Sequence, residues 1–93
     1  MKEINVKKSI VESIAFDLRG DLTLSLKGFP YSMFVSPNEL HYGGKNCEIS
    51  QLVVGSKIKF ETSGCEAVRQ LYNVTVMSDG IREVDDDGNL VKW

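Results

Sequence analysis

The chain has no apolar run approaching the roughly 20 residues that a membrane-spanning helix needs. Its start, MKEINVKK, lacks the apolar centre of a signal peptide. No membrane partner is expected, and a cytoplasmic location is. Cysteine is scarce: Cys47 and Cys65 stand too far apart for a Cys-x-x-Cys metal or redox site. A disulfide is not readable from their spacing, and free thiols are expected in a reducing compartment. The one histidine, His41, falls in a loop-like stretch with no nucleophile or carboxylate placed beside it, so no catalytic residue is identified and an enzyme is not expected. Asp85-x-Asp87-x-Asn89 resembles a calcium loop, but its glycine is at the fourth position rather than the sixth. Gly43-Gly44-Lys45 lacks the rest of a phosphate-binding loop. No metal or cofactor is expected. Asn73-x-Thr75 matches a glycosylation sequon inside a strand-like stretch and is read as chance. Neither sign of charge dominates: 11 basic and 13 acidic residues leave a net charge of −2. That balance neither invites a polyanion nor excludes one, because a basic patch can coexist with an acidic segment. The acid gathers in Asp85-Asp86-Asp87, while Lys57, Lys59 and Arg69 fall in the central stretch.

What is present is strand after strand. Ninety-three residues, 42% hydrophobic and 26% charged, suffice for one core. Leu22, Leu24 and Leu26 alternate with Asp21, Thr23 and Ser25, the period of a half-buried strand. Lys27-Gly28-Phe29-Pro30 turns the chain into a third strand, Ser32–Val35, with Met33 and Val35 on one face and Ser32, Phe34 and Ser36 on the other. Pro37 ends it, and Pro37–Leu40 suits a short helical turn with Leu40 in the core. His41–Ser50 shows no period and reads as a long loop. Ile58 and Phe60 alternate with Lys57, Lys59 and Glu61; after a loop at Ser63–Glu66, Tyr72–Val76 alternates again. Asp87-Gly88 signals a two-residue hairpin that sets Val84 opposite Val91, Glu83 opposite Lys92 and Arg82 opposite Trp93. Such a ribbon is marginal alone and is expected to dock Trp93 on the barrel or stay mobile. Residues 1–8 read as a frayed lead-in. Ser9–Leu18 carries two patterns. Ile10, Val11, Ile14, Ala15 and Leu18 have helical spacing, with Ser9-x-x-Glu12 as a capping box and Gly20 as the stop. Val6, Ile10, Ile14, Phe16 and Leu18 share one strand parity.

The stretch from Leu52 to Val76 resembles the last two strands of a cold-shock domain. That family writes L-x-x-G-x-x-V-x-F-E, a Gly-rich loop, then Q-A-x-N-V. Leu52, Gly55, Phe60, Glu61, Gln70, Asn73 and Val74 fall on the pattern at its spacing. The resemblance implies a strand over Ser9–Leu18, where spacing alone leans to a helix. It also implies an all-β, five-stranded antiparallel Greek-key barrel of the OB type over residues 1–78, followed by a C-terminal acidic hairpin over 79–93. The family binds single-stranded RNA or DNA through aromatics of two ribonucleoprotein motifs. Here the first motif corresponds to Arg19-Gly20-Asp21-Leu22-Thr23-Leu24, with both aromatics replaced by Asp21 and Thr23. The second corresponds to Met33-Phe34-Val35-Ser36, which keeps Phe34. The resemblance therefore implies a divergent member whose binding is weakened, because each stacked base adds about 1–3 kcal/mol.

The expected nucleic-acid site comprises Phe34 as the main stacking residue, with Tyr31, His41 and Tyr42 near it. Lys27, Lys57, Lys59 and Arg19 would meet the backbone, with Phe29 and Lys45 close by. On the plainer reading, Phe29 and Tyr31 cap the barrel and the lysines only solvate it. The rival function is a protein-interaction module on the same scaffold, meeting its partner through Asp79–Trp93.

Overall fold

A computed structural model describes residues 5–43, 48–63 and 69–91. It is all-β among them, apart from one 3-10 turn. The strands are β1 (Asn5–Phe16), β2 (Leu22–Leu26), β3 (Met33–Val35), β4 (Leu40–Tyr42), β5 (Lys57–Thr62) and β6 (Leu71–Val76), with the 3-10 turn at Pro37–Glu39. They form one sheet in the order β3-β2-β1-β5-β6-β4. The sheet curls until β3 meets the start of β6: Phe34 forms a parallel bridge with Gln70, and its N–H donates to the Arg69 carbonyl at 2.7 Å. The result is a nearly closed barrel.

β1 is the hinge of this barrel. Its first half pairs antiparallel with β5, from Asn5 opposite Thr62 to Ile10 opposite Lys57. Its second half pairs antiparallel with β2, from Val11 opposite Leu26 to Phe16 opposite Leu22. Between Val11 and Ser13 the register slips by one residue, a β-bulge that lets one strand serve two neighbours. The bulge explains the helix-like spacing of this stretch. With one extra residue in the count, Val11 and Ile14 both reach the core although they are three apart. Ser9–Phe16 is thus strand, while Asp17 and Leu18 belong to the following turn. Residues 5–8 are not a lead-in, because they pair with β5 and supply one side of the sheet.

The core is filled by Leu22, Leu24 and Leu26 from β2, Met33 and Val35 from β3, Ile58 and Phe60 from β5, and Leu71, Val74 and Val76 from β6. Phe60 is fully buried, and Phe29 packs edge-on against it with ring centres 5.6 Å apart. Two further expectations change. The stretch after the 3-10 turn is not all loop: Leu40-His41-Tyr42 forms β4, running parallel to β6 with Leu40 opposite Val74. The sheet therefore has six strands rather than five. The C-terminal ribbon is also shifted. Val84 bridges Leu90, not Val91, and the loop holds three residues, 86–88, rather than two. The cause is Asp85, whose carboxylate accepts from the N–H groups of Asp87 (3.0 Å) and Asn89 (2.9 Å) and so makes Asp85 the corner. Lys45, Cys47, Cys65, Lys92 and Trp93 lie outside the described residues, as do the expectations resting on them.

Candidate nucleic-acid interface

Parity fixes which side chains face out. Ala15, Thr23 and Phe34 stand side by side on β1, β2 and β3, on the face opposite the buried leucines of β2. Ser13 pairs with Ser25 on the same outer face. This wall is small and polar except for Phe34, which is 44% exposed at the closing seam. Tyr31, 53% exposed, lies just before β3, and the Arg69 guanidinium sits 4.0 Å from its ring centre. Cation–π contacts of this kind orient a ring and a planar cation together. Phe34, Tyr31 and Arg69 therefore belong to one seam, tied by the Phe34 to Arg69 backbone bond. Sequence spacing gave Arg69 no link to Tyr31, because closure of the barrel alone brings them together.

The other aromatic at this end, Phe29, is partly buried against the core, with the Lys7 ammonium 5.7 Å from its ring centre. It caps the barrel, as the plainer reading had it. Arg19 lies in the turn between β1 and β2, whose geometry comes from Asp17. That carboxylate accepts from the N–H groups of Arg19 (2.8 Å) and Asp21 (3.0 Å). Asp21, which occupies an aromatic position of the motif pattern, thus closes a turn.

The lysines stand elsewhere. Lys8, Lys59, Thr75 and His41 form one outward row across β1, β5, β6 and β4. Gln70, just before β6 and beside Phe34, and Thr75, on β6 and beside Lys59, are five residues apart along the chain, roughly 15 Å at strand rise. Tyr42 has the inward parity of Val76 but stays exposed on the outermost strand. Lys57 and Lys27 line a groove of about 620 Å³ together with Lys8, Ile10, Met77, Glu83, Asp86 and others. The predicted residues are thus divided. Phe34 and Tyr31 share the seam, Lys27 and Lys57 share the groove, His41 and Lys59 share a row, and Arg19 and Tyr42 stand apart.

The groove is closed on one side by the acidic ribbon. Lys57 is ion-paired with Glu83, and Lys8 with Asp86. The Lys8 ammonium holds the Asp86 carboxyl below its ordinary range, and Lys59 adds to this at longer reach. Val84 is buried, and its N–H donates to the Met77 carbonyl at 2.8 Å. Arg82 donates to the Glu48 carbonyl at 3.0 Å. The ribbon is therefore docked by its middle. Among the described residues there is no group of three or more His, Cys, Asp or Glu side chains suited to a metal ion, and no helix is long and apolar enough to cross a membrane. No family model, curated protein or solved structure matches the chain.

Proposed function

We propose that this chain is a cold-shock-like barrel of the OB type that binds single-stranded RNA or DNA weakly, at the seam carrying Phe34, Tyr31 and Arg69. The strand order supports the OB reading, with β1 shared between β2 and β5 and a parallel contact joining β3 to β6. The observation that carries the function is Phe34, outward and half-exposed beside a tyrosine already stacked with a guanidinium. Bases offer π-faces to such a platform with little demand on sequence. Thr23, Ser13 and Ser25 supply no second ring, so few bases are stacked. Lys57 and Lys59 contribute less than their positive charge suggests, because Glu83 pairs with Lys57 and Asp86 lies within electrostatic reach of Lys59. The test is a fluorescence titration with pyrimidine oligomers at low and moderate salt. Binding should weaken as salt rises, and Phe34→Ala should cost about 1–3 kcal/mol of affinity. Absence of any salt-sensitive binding at low ionic strength would end the proposal.

A second reading rests on Ile81 and Leu90, two large apolar side chains left exposed on the ribbon. Under it the scaffold meets a protein partner through this segment. A partner retained by the full chain and lost by Ile81→Ser/Leu90→Ser in a pull-down would favour it; retention by both forms would count against it.

A further inference from the structure

Lys8 and Lys59 are direct partners across β1 and β5, with like charges facing the same side of the sheet. Such a pair is unfavourable unless an anion stands over it. Lys57 extends the charge along β5, and Lys27, whose backbone N–H donates to the Ile10 carbonyl at 3.0 Å, lines the same groove as Lys8 and Lys57, with Lys59 at its border beside Lys8. In the folded chain the anions are internal. Asp86 pairs with Lys8 within reach of Lys59, and Glu83 pairs with Lys57. The ribbon thus places two carboxylates, three residues apart, on a cationic strip running along β1 and β5.

We infer that this strip is a binding site for a phosphate chain, held closed by the ribbon's carboxylates as an intramolecular competitor. The lysines of one strand face recur every second residue, about 6–7 Å apart, a ladder suited to a linear polyanion rather than a single small ion. The Lys8–Asp86 pair is solvent-exposed on both sides and the Lys57–Glu83 pair on its lysine side, and exposed ion pairs are weakly held and screened by salt. A polyanion that engages all four lysines can therefore displace two separate carboxylates. The ribbon remains attached through Val84 and its bond to Met77, so displacement is local. The inference is independent of the Phe34 seam, which lies on another part of the wall.

The experiment uses the full chain with Glu83→Gln/Asp86→Asn, substitutions that keep shape and remove charge. Two probes are titrated at low salt: inorganic polyphosphate, which has no bases, and a short oligothymidylate. The double variant should bind both about tenfold tighter or more than the wild type, with a steeper salt dependence. Adding Lys8→Gln and Lys59→Gln should abolish the gain, whereas adding Phe34→Ala should leave it in place. In the wild type, saturating polyphosphate should speed amide exchange of Asn89 and Val91, the ribbon's own hydrogen-bonded positions. Equal binding by wild type and double variant would overturn the inference. So would a gain that survives loss of the lysines, a gain seen with oligothymidylate alone, or ribbon exchange indifferent to polyphosphate.

Discussion

Asp17 and Asp85 are the same residue in two turns. Each accepts, at Oδ1, the N–H groups two and four residues ahead, and each backbone carbonyl accepts from a glycine three residues ahead. The N–H of each also donates to the carbonyl four residues on, Asp21 for one and Asn89 for the other. The code Asp-x-x-Gly-Asp/Asn therefore builds a three-residue loop twice, once between β1 and β2 and once in the ribbon. The glycines close it with φ of 87° at Gly20 and 82° at Gly88, the left-handed region that other residues enter at a cost.

Gly20→Ala and Gly88→Ala should each destabilise the chain by about 1–2 kcal/mol, with Gly20→Asn milder. Nothing lies within 4 Å of a Cβ at Gly20, so there the penalty is conformational alone. Urea denaturation of the three variants measures it. Equal stability of Gly20→Ala and wild type would refute the turn assignment.

Gly43 differs in cause. A Cβ there would come within 2.8 Å of the Thr75 methyl and 3.6 Å of a Val84 methyl, where the end of β4, β6 and the ribbon meet. Gly43→Ala should cost about 1–3 kcal/mol through overpacking. Thr75→Ser in the same background should recover part of it, because the crowded methyl is gone.

Val84 anchors the ribbon, and its side chain is buried while Asp85 and Asp86 after it are exposed. Val84→Ala should cost about 2 kcal/mol and loosen the docking. Hydrogen exchange at Val91, whose N–H donates to the Glu83 carbonyl at 2.7 Å, should quicken by a larger factor than exchange in β2. Uniform quickening would mean that the ribbon and barrel open together.

Asp79 couples the ribbon to pH. Its carboxylate accepts from the N–H groups of Arg82 (2.7 Å) and Ile81 (2.9 Å), and these bonds lower its pKa from the ordinary 3.8. A group with a depressed folded-state pKa adds stability above its unfolded value and loses it as pH falls through the folded one. Thermal melts from about pH 5 down to pH 2 should therefore fall more steeply for wild type than for Asp79→Asn. Parallel curves would show that this carboxylate does not contribute to acid unfolding.

The residues that carry the cold-shock resemblance turn out to have structural tasks. Phe60 and Val74 fill the core, Leu52 packs against it, and Gly55 sits in the turn before β5. The Asn73 amide donates to Glu61 at 2.6 Å, while the Asn73 N–H donates to Glu39 at 2.9 Å. Asn73 stands at φ 47° inside the irregularity between β5 and β6, a conformation asparagine tolerates better than most residues. A resemblance resting on such residues speaks to scaffold, whereas the proposed binding face rests on Phe34, Tyr31 and Arg69.

Sequence by itself determined what depends on near neighbours. Alternation in Leu22–Leu26 and Lys57–Thr62 set those strands and their dry faces, and it turned Phe34 outward. In the last strand the alternation expected over Tyr72–Val76 holds only for Val74 and Val76, because the irregularity at Asn73 turns Tyr72 out and Leu71 in. A side chain's face follows from strand period, which is local. Tertiary structure decided the rest: the bulge that made β1 look helical, the parallel partner of β4, the meeting of Arg69 with Tyr31, and the carboxylates over Lys8 and Lys57. Each of these joins residues distant in the chain, and their proximity arises only when the barrel closes and buries its core.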